Sequence, residues 1–222
     1  MDLIDTFLNP DVLVAVWPLL WQGLLLTLKL ALAIVPTAIL LGLLVACVLY
    51  QNHRLLNILV RLFVDFFRAF PPLVLLIFIY YGLPFLGIKL GEFSATVLAL
   101  VLNGCSYYAE IFRAGLESVP AGQNEAARST GLTARQALAS VIVPQGVRNV
   151  MPDLASNTLE VVKQTSIASA VALPELLRAA QIGQGQTYSQ TPLIAAALVY
   201  LVLLWPLVRV ISRMQKPVVI PR

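Results

Sequence analysis

Polar side chains recur along one face of a helix that is predicted within an otherwise apolar chain. They are Asp153, Asn157, Glu160 and Gln164. Their spacing of i, i+4, i+7 and i+11 puts all of them on one stripe. A rise of 1.5 Å per residue places Glu160 about 12 Å and Gln164 about 18 Å beyond Pro152. Polar groups are costly at membrane depth, so the stripe favours a site for a polar solute. Lys163 follows Glu160 at i+3, and the alternative is an ion pair that only permits helix packing.

A second candidate is an arginine beside a proline pair. Arg68 stands just before Pro71 and Pro72, which interrupt a predicted helix and free backbone groups. Freed groups are tolerated at membrane depth only beside protein or water. A guanidinium there can bind a carboxylate through two hydrogen bonds, which a lysine cannot match. The alternative, that Arg68 ties helix ends together, stays open. Arg61 and Asp65, one turn apart on the same helix, are expected to form a surface pair.

Small and polar residues also mark the segment 103–110. Ser106 favours close helix packing, and Ser106 and Tyr107 are further candidates for the lining of a polar cavity. Glu110 and Arg113 are one turn apart and are expected to brace the polar hairpin described below.

The composition indicates a multi-span membrane protein, since 59% of the 222 residues are hydrophobic and only 12% are charged. At about 20 apolar residues per span, five or six helices are the limit. The predicted spans are 21–50 (interrupted by Lys29 and Pro36), 54–86 (broken at Pro71-Pro72), 93–111, 152–173 and 193–210. We therefore predict an all-α integral membrane protein of about five transmembrane helices, with a single domain over 1–222.

Cys47 and Cys105 lie in apolar runs, which favours small core residues over a disulfide.

The stretch 118–144 departs from this pattern and is typical of a soluble helix–turn–helix. Pro120 suits a first helical turn. Gly131 can take the left-handed conformation that ends a helix. Thr133 and Gln136 have capping-box spacing and would start the second helix. Ala126 and Ala127 keep the hairpin slim, so that another protein can approach closely.

The hairpin also contains residues with the spacing of a known sequence motif. The matching residues are Glu125, Ala126, Ala127, Gly131 and, after nine further residues, Val141 and Val143-Pro144. This pattern resembles the EAA loop of bacterial ABC-importer permeases, which ends in isoleucine and Leu-Pro; Val141 and Val143 are conservative departures. The resemblance extends to 109–115, to 162–166 and to the Phe67-Arg68-x-x-Pro71 element. It covers most of the chain and looks like the polar-amino-acid branch of that family.

The resemblance implies a type I importer permease. Its partners would be a second permease (identical or homologous), a dimer of ATP-binding subunits, and a periplasmic binding protein that delivers a polar amino acid. Glu125, Ala126, Ala127 and Gly131 would couple the chain to the ATPase. Glu160 and Gln164 are candidates to contact this cargo because of their place on the polar stripe, with Glu160 holding its ammonium. Arg68, in the element that resembles the family's, is the candidate to hold its carboxylate.

The chain itself has no P-loop, because none of its lysines follows a glycine. We therefore expect no cofactor on this chain and ATP-Mg on the partner subunit. His53 has no metal-ligand cluster or nucleophile–base arrangement around it, so no enzyme activity is expected of the chain alone.

Lysine and arginine are distributed unevenly between the two sides of the predicted spans. The segments 51–61, 112–151 and 212–222 contain Arg54, Arg61, Arg113, Arg128, Arg135, Arg148, Arg213, Lys216 and Arg222. The segments 1–18, 87–92 and 174–192 contain only Lys89 and Arg178. This asymmetry predicts a bacterial inner-membrane protein with its N-terminus outside and its C-terminus and hairpin in the cytoplasm. The net charge of +4 is spread over helix ends, which favours lipid contact over nucleic acid.

Two other classes stay open at this stage. A secondary transporter would show internal repeats and coupling-ion sites, and neither is evident. A non-transporting membrane scaffold would keep the hairpin but would not need the polar stripe. The outer segment 174–188 is expected either to bind a soluble partner or to form an interfacial cap, with a flexible end.

Overall fold

The computed structural model describes residues 7–51 and 54–214. His53, Lys216 and Arg222, which enter the predictions above, lie outside the described residues. Within the described ranges every regular element is helical, and the prediction of an all-α membrane protein is confirmed.

The helices follow one another through short connections. They are α1 (Pro10–Tyr50), α2 (Arg54–Ala69), α3 (Pro72–Ile77), α4 (Glu92–Glu117), α5 (Ala121–Ser129), α6 (Ala134–Ala137), α7 (Val143–Asn149), α8 (Met151–Gln164), α9 (Leu176–Thr187) and α10 (Thr191–Met214). A π-helical segment, Phe78–Gly82, and a 3₁₀ segment, Leu83–Leu86, continue α3. A second π-helical segment, Leu138–Ile142, joins α6 to α7, and a second 3₁₀ segment, Thr165–Val171, extends α8.

Helix α1 differs from its prediction in two ways. It begins at Pro10 rather than near Trp21, and it runs without a break past Lys29 and Pro36. Its 41 residues span about 61 Å, roughly twice the thickness of a hydrocarbon core. The expected interruption is therefore wrong. A single proline removes only one N–H, and transmembrane helices tolerate this loss.

In the described part of the chain, three helices are long and apolar enough to span a membrane by themselves, namely α1, α4 and α10. A fourth span is counted if α2 and the segment Pro72–Leu86 are taken together, since they are bent by 101° at the predicted proline break. The predicted span 152–173 is α-helical only to Gln164 and then continues as a 3₁₀ helix. Of these three helices α4 is the most buried, since 67% of its most apolar window is buried, compared with 28% for α1 and 11% for α10.

Contacts divide the described residues into two compact units. The first contains the described parts of Met1–Ile34, Pro72–Leu100 and Leu159–Arg222, and the second contains those of Val35–Pro71 and Val101–Thr158. Helices α1, α4 and α8 each contribute residues to both units, and the single-domain assignment stays a prediction.

In the first unit α9 packs against α1 and α10. Its residues Leu176, Ala179 and Ala180 are buried together with Leu20 of α1 and Ala196 of α10. The start of α9 is held by Glu175, whose fully buried carboxylate accepts hydrogen bonds from the N–H groups of Leu177 and Arg178 and from the Tyr200 hydroxyl. The segment is thus attached to α1 and α10, and its role as an interfacial cap or as a binding surface for a soluble partner stays a prediction.

Candidate functional site

The turn of the hairpin has the predicted geometry. Pro120 immediately precedes α5, and Gly131 has φ +91°, in the left-handed region. Thr133 then caps α6: its hydroxyl accepts from the Gln136 N–H at 3.3 Å, while its own N–H donates to Gln136 Oε1 at 2.8 Å. The predicted turn and capping box are confirmed because their determinants are local.

The second arm of the hairpin is not one regular α-helix. Helix α6 has four residues and passes through the π-helical segment Leu138–Ile142 into α7. Pro144, in the first turn of α7, lacks the N–H that would bond to the Ser140 carbonyl, so the chain widens at this point.

The residues predicted to couple to an ATPase lie mainly on the surface. Glu125, Ala126 and Gly131 are exposed, whereas Ala127 is buried inside the hairpin. Beside them lies a cavity of about 360 Å³ within the second unit. Its lining residues are Tyr50, Gln51, Asn124, Ala134, Arg135 and Leu138. Both polar and apolar side chains line this cavity.

Glu160 and Lys163 on α8 form the ion pair that the sequence left as an alternative. Lys163 Nζ lies 2.7 Å from Glu160 Oε1, and the two side chains are 47% and 60% exposed, respectively. Gln164 is half-buried at the end of α8, Asn157 is half-buried, and Asp153 is exposed. The pair therefore satisfies itself, but it is not packed within this chain.

Lys163 also borders an apolar groove of about 540 Å³ in the first unit. The opposite wall is formed by α10 and includes Tyr200, Trp205 and Arg209. Its volume is in the range of sites that hold small molecules. The ion pair thus stands beside a space of ligand size.

Arg68 is already engaged by residues of α4 in the second unit. Its Nη1 lies 4.0 Å from Glu110 Oε2, and its guanidinium carbon is 5.5 Å from the centre of the Tyr107 ring. Its side chain is 38% exposed, so part of the guanidinium remains accessible. The arrangement fits a tie between α2 and α4 and leaves room for a carboxylate.

Two expected ionic contacts are not found among the described residues. Arg61 and Asp65 are both exposed and make no ion pair, in keeping with the small gain that surface pairs provide. Arg113 bonds to Glu110 and, at 2.6 Å, to Glu117. These contacts stay on α4, so the expected brace between this pair and the hairpin is wrong.

Ser106 and Tyr107 occupy different environments. Ser106 is fully buried and its hydroxyl donates to the Leu102 carbonyl of its own helix at 3.0 Å. Tyr107 is 37% exposed, and its hydroxyl donates to the Arg68 carbonyl at 3.2 Å. In this conformation only Tyr107 is open to a ligand.

Sequence reasoning assigned no role to Asn103, which is buried and donates to the Phe67 carbonyl at 2.7 Å. The sequence feature that could have identified Asn103 is the proline pair just after the neighbouring helix. A proline pair frees carbonyl groups that a membrane cannot solvate, and a buried amide on a neighbouring helix can supply the missing donor.

These features define a polytopic helical membrane protein that carries an exposed polar hairpin. The profile of a known family, "binding-protein-dependent transport system inner membrane component", matches residues 38–216. The chain belongs to this family.

Relatives within the family are similar over most of their length. The chain is 37% identical over 168 residues to the probable glutamine ABC transporter permease protein GlnP of Bacillus subtilis (strain 168), covering 76% of this chain and 77% of that protein. It is 30% identical over 188 residues to the arginine transport system permease protein ArtQ of the same organism, covering 84% and 86%.

Solved structures agree with the fold. One, described as an amino acid ABC transporter with histidines, has a TM-score of 0.82 at 35% identity and covers 91% of this chain and 95% of that chain. The inward-facing MetNI methionine ABC transporter has a TM-score of 0.72 at 22% identity, covers 88% and 94%, and supports the fold alone. Membership of a transport family does not favour a secondary transporter or a non-transporting scaffold.

Proposed function

We propose that this chain is the permease subunit of an ATP-driven importer that moves polar amino acids across the bacterial inner membrane. It works with a second permease, identical or homologous, with a dimer of ATP-binding subunits, and with a periplasmic binding protein. The names of its relatives, which include glutamine and arginine permeases, support the substrate class. ATP-Mg is bound by the partner ATPase.

The observation that carries this proposal is the exposed hairpin with its left-handed turn at Gly131. Glu125 and Ala126 stand on its outer surface, where they can contact a partner directly. Within a family of transport components, a charged helical pair on the cytoplasmic side is a suitable receptor for a subunit that supplies energy. ATP-driven closure of the ATPase dimer would move the hairpin and change the access of the cargo site.

Helix α8 is the proposed location of the cargo site. Glu160 and Lys163 are exposed. The sequence predicts that their helix lies at membrane depth, where a charged pair is too costly to face lipid. It must face water or another subunit. A free amino acid carries an ammonium and a carboxylate. The pair offers the Glu160 carboxylate to the ammonium and the Lys163 ammonium to the carboxylate.

Gln164 extends the same site by one turn. Arg68 is proposed separately as a binder of carboxylates, on the strength of its accessible guanidinium, and Tyr107 as its stacking partner. Ser106 would take part only in a conformation that opens the helix packing around it.

The proposed orientation places the N-terminus outside and the hairpin in the cytoplasm. It rests on the uneven distribution of basic residues, which does not depend on the family.

Reconstitution tests the function. The tagged chain would be purified with its companion subunits, placed in liposomes with the binding protein, and supplied with ATP and radiolabelled glutamine, arginine or histidine. We expect ATP-dependent uptake of at least one of them. Uptake by the chain without an ATPase would indicate a secondary transporter, and absence of uptake with every subunit present would indicate a scaffold.

A further inference from the structure

The end of α4 and the start of α7 cross with their backbones in direct contact. A Cβ atom placed on Gly115 would lie 2.6 Å from the carbonyl oxygen of Gly146 and 2.9 Å from both methyl groups of Val150. A Cβ placed on Gly146 would lie 3.0 Å from the backbone of Gly115 and of Leu116. The crossing therefore requires the absence of a side chain at both positions.

Polar contacts repeat this attachment three residues further on, at Ser118 just past the end of α4 and at Asn149, the last residue of α7. Ser118 Oγ donates to the Gly115 carbonyl at 2.7 Å, and Asn149 Nδ2 donates to Ser118 Oγ at 2.8 Å. Since Ser118 follows Gly115 by three residues and Asn149 follows Gly146 by three, the two contacts share one face of each helix.

Helix α7 continues the second arm of the hairpin and is also bonded to the first arm. Gln145 Nε2 donates to Gln123 Oε1 of α5 at 3.3 Å and to the Val141 carbonyl at 2.9 Å. Ala127, Ala137 and Ile142 are buried inside the hairpin. The hairpin and the end of α4 thus form one packed body within the second unit.

We propose that Gly115 and Gly146 form a fixed joint that passes movement of the hairpin directly to α4. The two glycines are positioning residues, and the inference rests on the proposed function, in which an ATPase moves the hairpin. A backbone contact has no rotamers, so displacement at the joint cannot be absorbed by side-chain rearrangement. Tyr108, Phe112 and Leu116 of α4 are buried in the second unit, so displacement of α4 reaches the core of that unit.

The test compares Gly115→Ala and Gly146→Ala with the matched control Gly91→Ala. Gly91 precedes the same helix and has no neighbour within 4 Å of an added Cβ. In the assembled transporter we expect the two joint variants to hydrolyse ATP but to import about three- to tenfold less amino acid per ATP, and the control to match the unaltered chain. Unchanged import per ATP in both joint variants would overturn the joint.

A second measurement tests the joint even if the glycine variants fail to assemble with the other subunits. Ser118→Cys and Asn149→Cys, combined in a chain whose Cys47 and Cys105 are replaced, would be linked by a short thiol-specific cross-linker. If α4 and the hairpin move as one body, uptake survives the link at the level of the unlinked protein; loss of uptake on linking would overturn the joint. Absence of ATP-driven uptake by the unaltered chain would instead contradict the proposed function.

Discussion

Asn103 of α4 donates a hydrogen bond from Nδ2 to the Phe67 carbonyl oxygen of α2, 2.7 Å away. Phe67 lies four residues before Pro71, which has no N–H to bond to that carbonyl. In the same way Arg68 lies four residues before Pro72, and its carbonyl accepts from the Tyr107 hydroxyl at 3.2 Å. Asn103 and Tyr107 are one turn apart on α4, so one helix face replaces both hydrogen bonds that the proline pair removes.

Replacement of Asn103 tests this compensation. Asn103→Leu leaves the partly buried Phe67 carbonyl without a donor, which costs about 1–3 kcal/mol of stability. The melting temperature of the purified protein should fall. Pro71→Ala restores an N–H at the position that the carbonyl faces in a regular helix, so it should rescue part of the loss in the double variant. Additive destabilisation by the two changes would contradict the compensation.

The left-handed turn at Gly131 can be tested with two substitutions at the same position. A β-branched residue is strained at φ +91°, by about 1–3 kcal/mol, whereas asparagine tolerates this region. Gly131→Val should misdirect the second arm of the hairpin and reduce copurification of the ATPase, while Gly131→Asn should keep most of it. Both variants should still insert in the membrane. If the Gly131→Val variant recovers the full amount of ATPase and takes up amino acid normally, the hairpin does not couple the chain to the ATPase.

The parts of the fold that could be predicted depend on neighbouring residues. Gly131, Thr133 and Gln136 lie within six positions of one another, and their turn follows from local backbone chemistry. The partner of Phe67 is 36 residues away, and only the packing of α2 on α4 selects it. The partners of Arg113 could not be predicted for the same reason, because its position in the sequence fits contacts with Glu110, with Glu117 and with the hairpin equally well. The exposure of the Glu160–Lys163 pair likewise depends on packing that helical spacing does not report.

Accessibility to a membrane-impermeant thiol reagent tests the orientation. Gln123→Cys lies on the hairpin and Gln184→Cys lies on α9, in a chain whose Cys47 and Cys105 are replaced. In intact cells we expect labelling of the second variant and protection of the first, because the basic residues flank the cytoplasmic side. Permeabilised cells provide the control, since both cysteines should then react. The reverse pattern in intact cells would overturn the orientation.

Arg68 has two candidate roles, and its substitution by lysine distinguishes between them. Arg68→Lys keeps the charge but loses the planar group that stacks on Tyr107 and binds a carboxylate through two hydrogen bonds. If Arg68 binds cargo, the KM for uptake should rise while the melting temperature changes little. Glu110→Gln removes the carboxylate beside Arg68 but also the partner of Arg113, so its melting temperature is compared with that of Arg113→Gln. Equal losses of melting temperature in Arg68→Lys and Glu110→Gln, with KM unchanged, would make Arg68 a tie between α2 and α4.

A single substitution separates the charge of Glu160 from its shape. Glu160→Gln keeps the shape of the side chain and removes its charge. If Glu160 holds the ammonium of the cargo in a desolvated site, the loss of binding should be on the order of 2–5 kcal/mol. The measurement is substrate-stimulated ATPase activity of the assembled transporter, titrated with amino acid and read beside the melting temperature.

Lys163→Met provides the control, alone and combined with Glu160→Gln. Both side chains of the pair are about half exposed, so their mutual attraction contributes only about 0–1 kcal/mol to stability. A cargo role therefore predicts a large change in stimulation with a nearly constant melting temperature. A purely structural pair predicts the opposite: Glu160→Gln lowers the melting temperature, Lys163→Met in the same chain restores it, and stimulation is unchanged. That second result would exclude Glu160 from the cargo site.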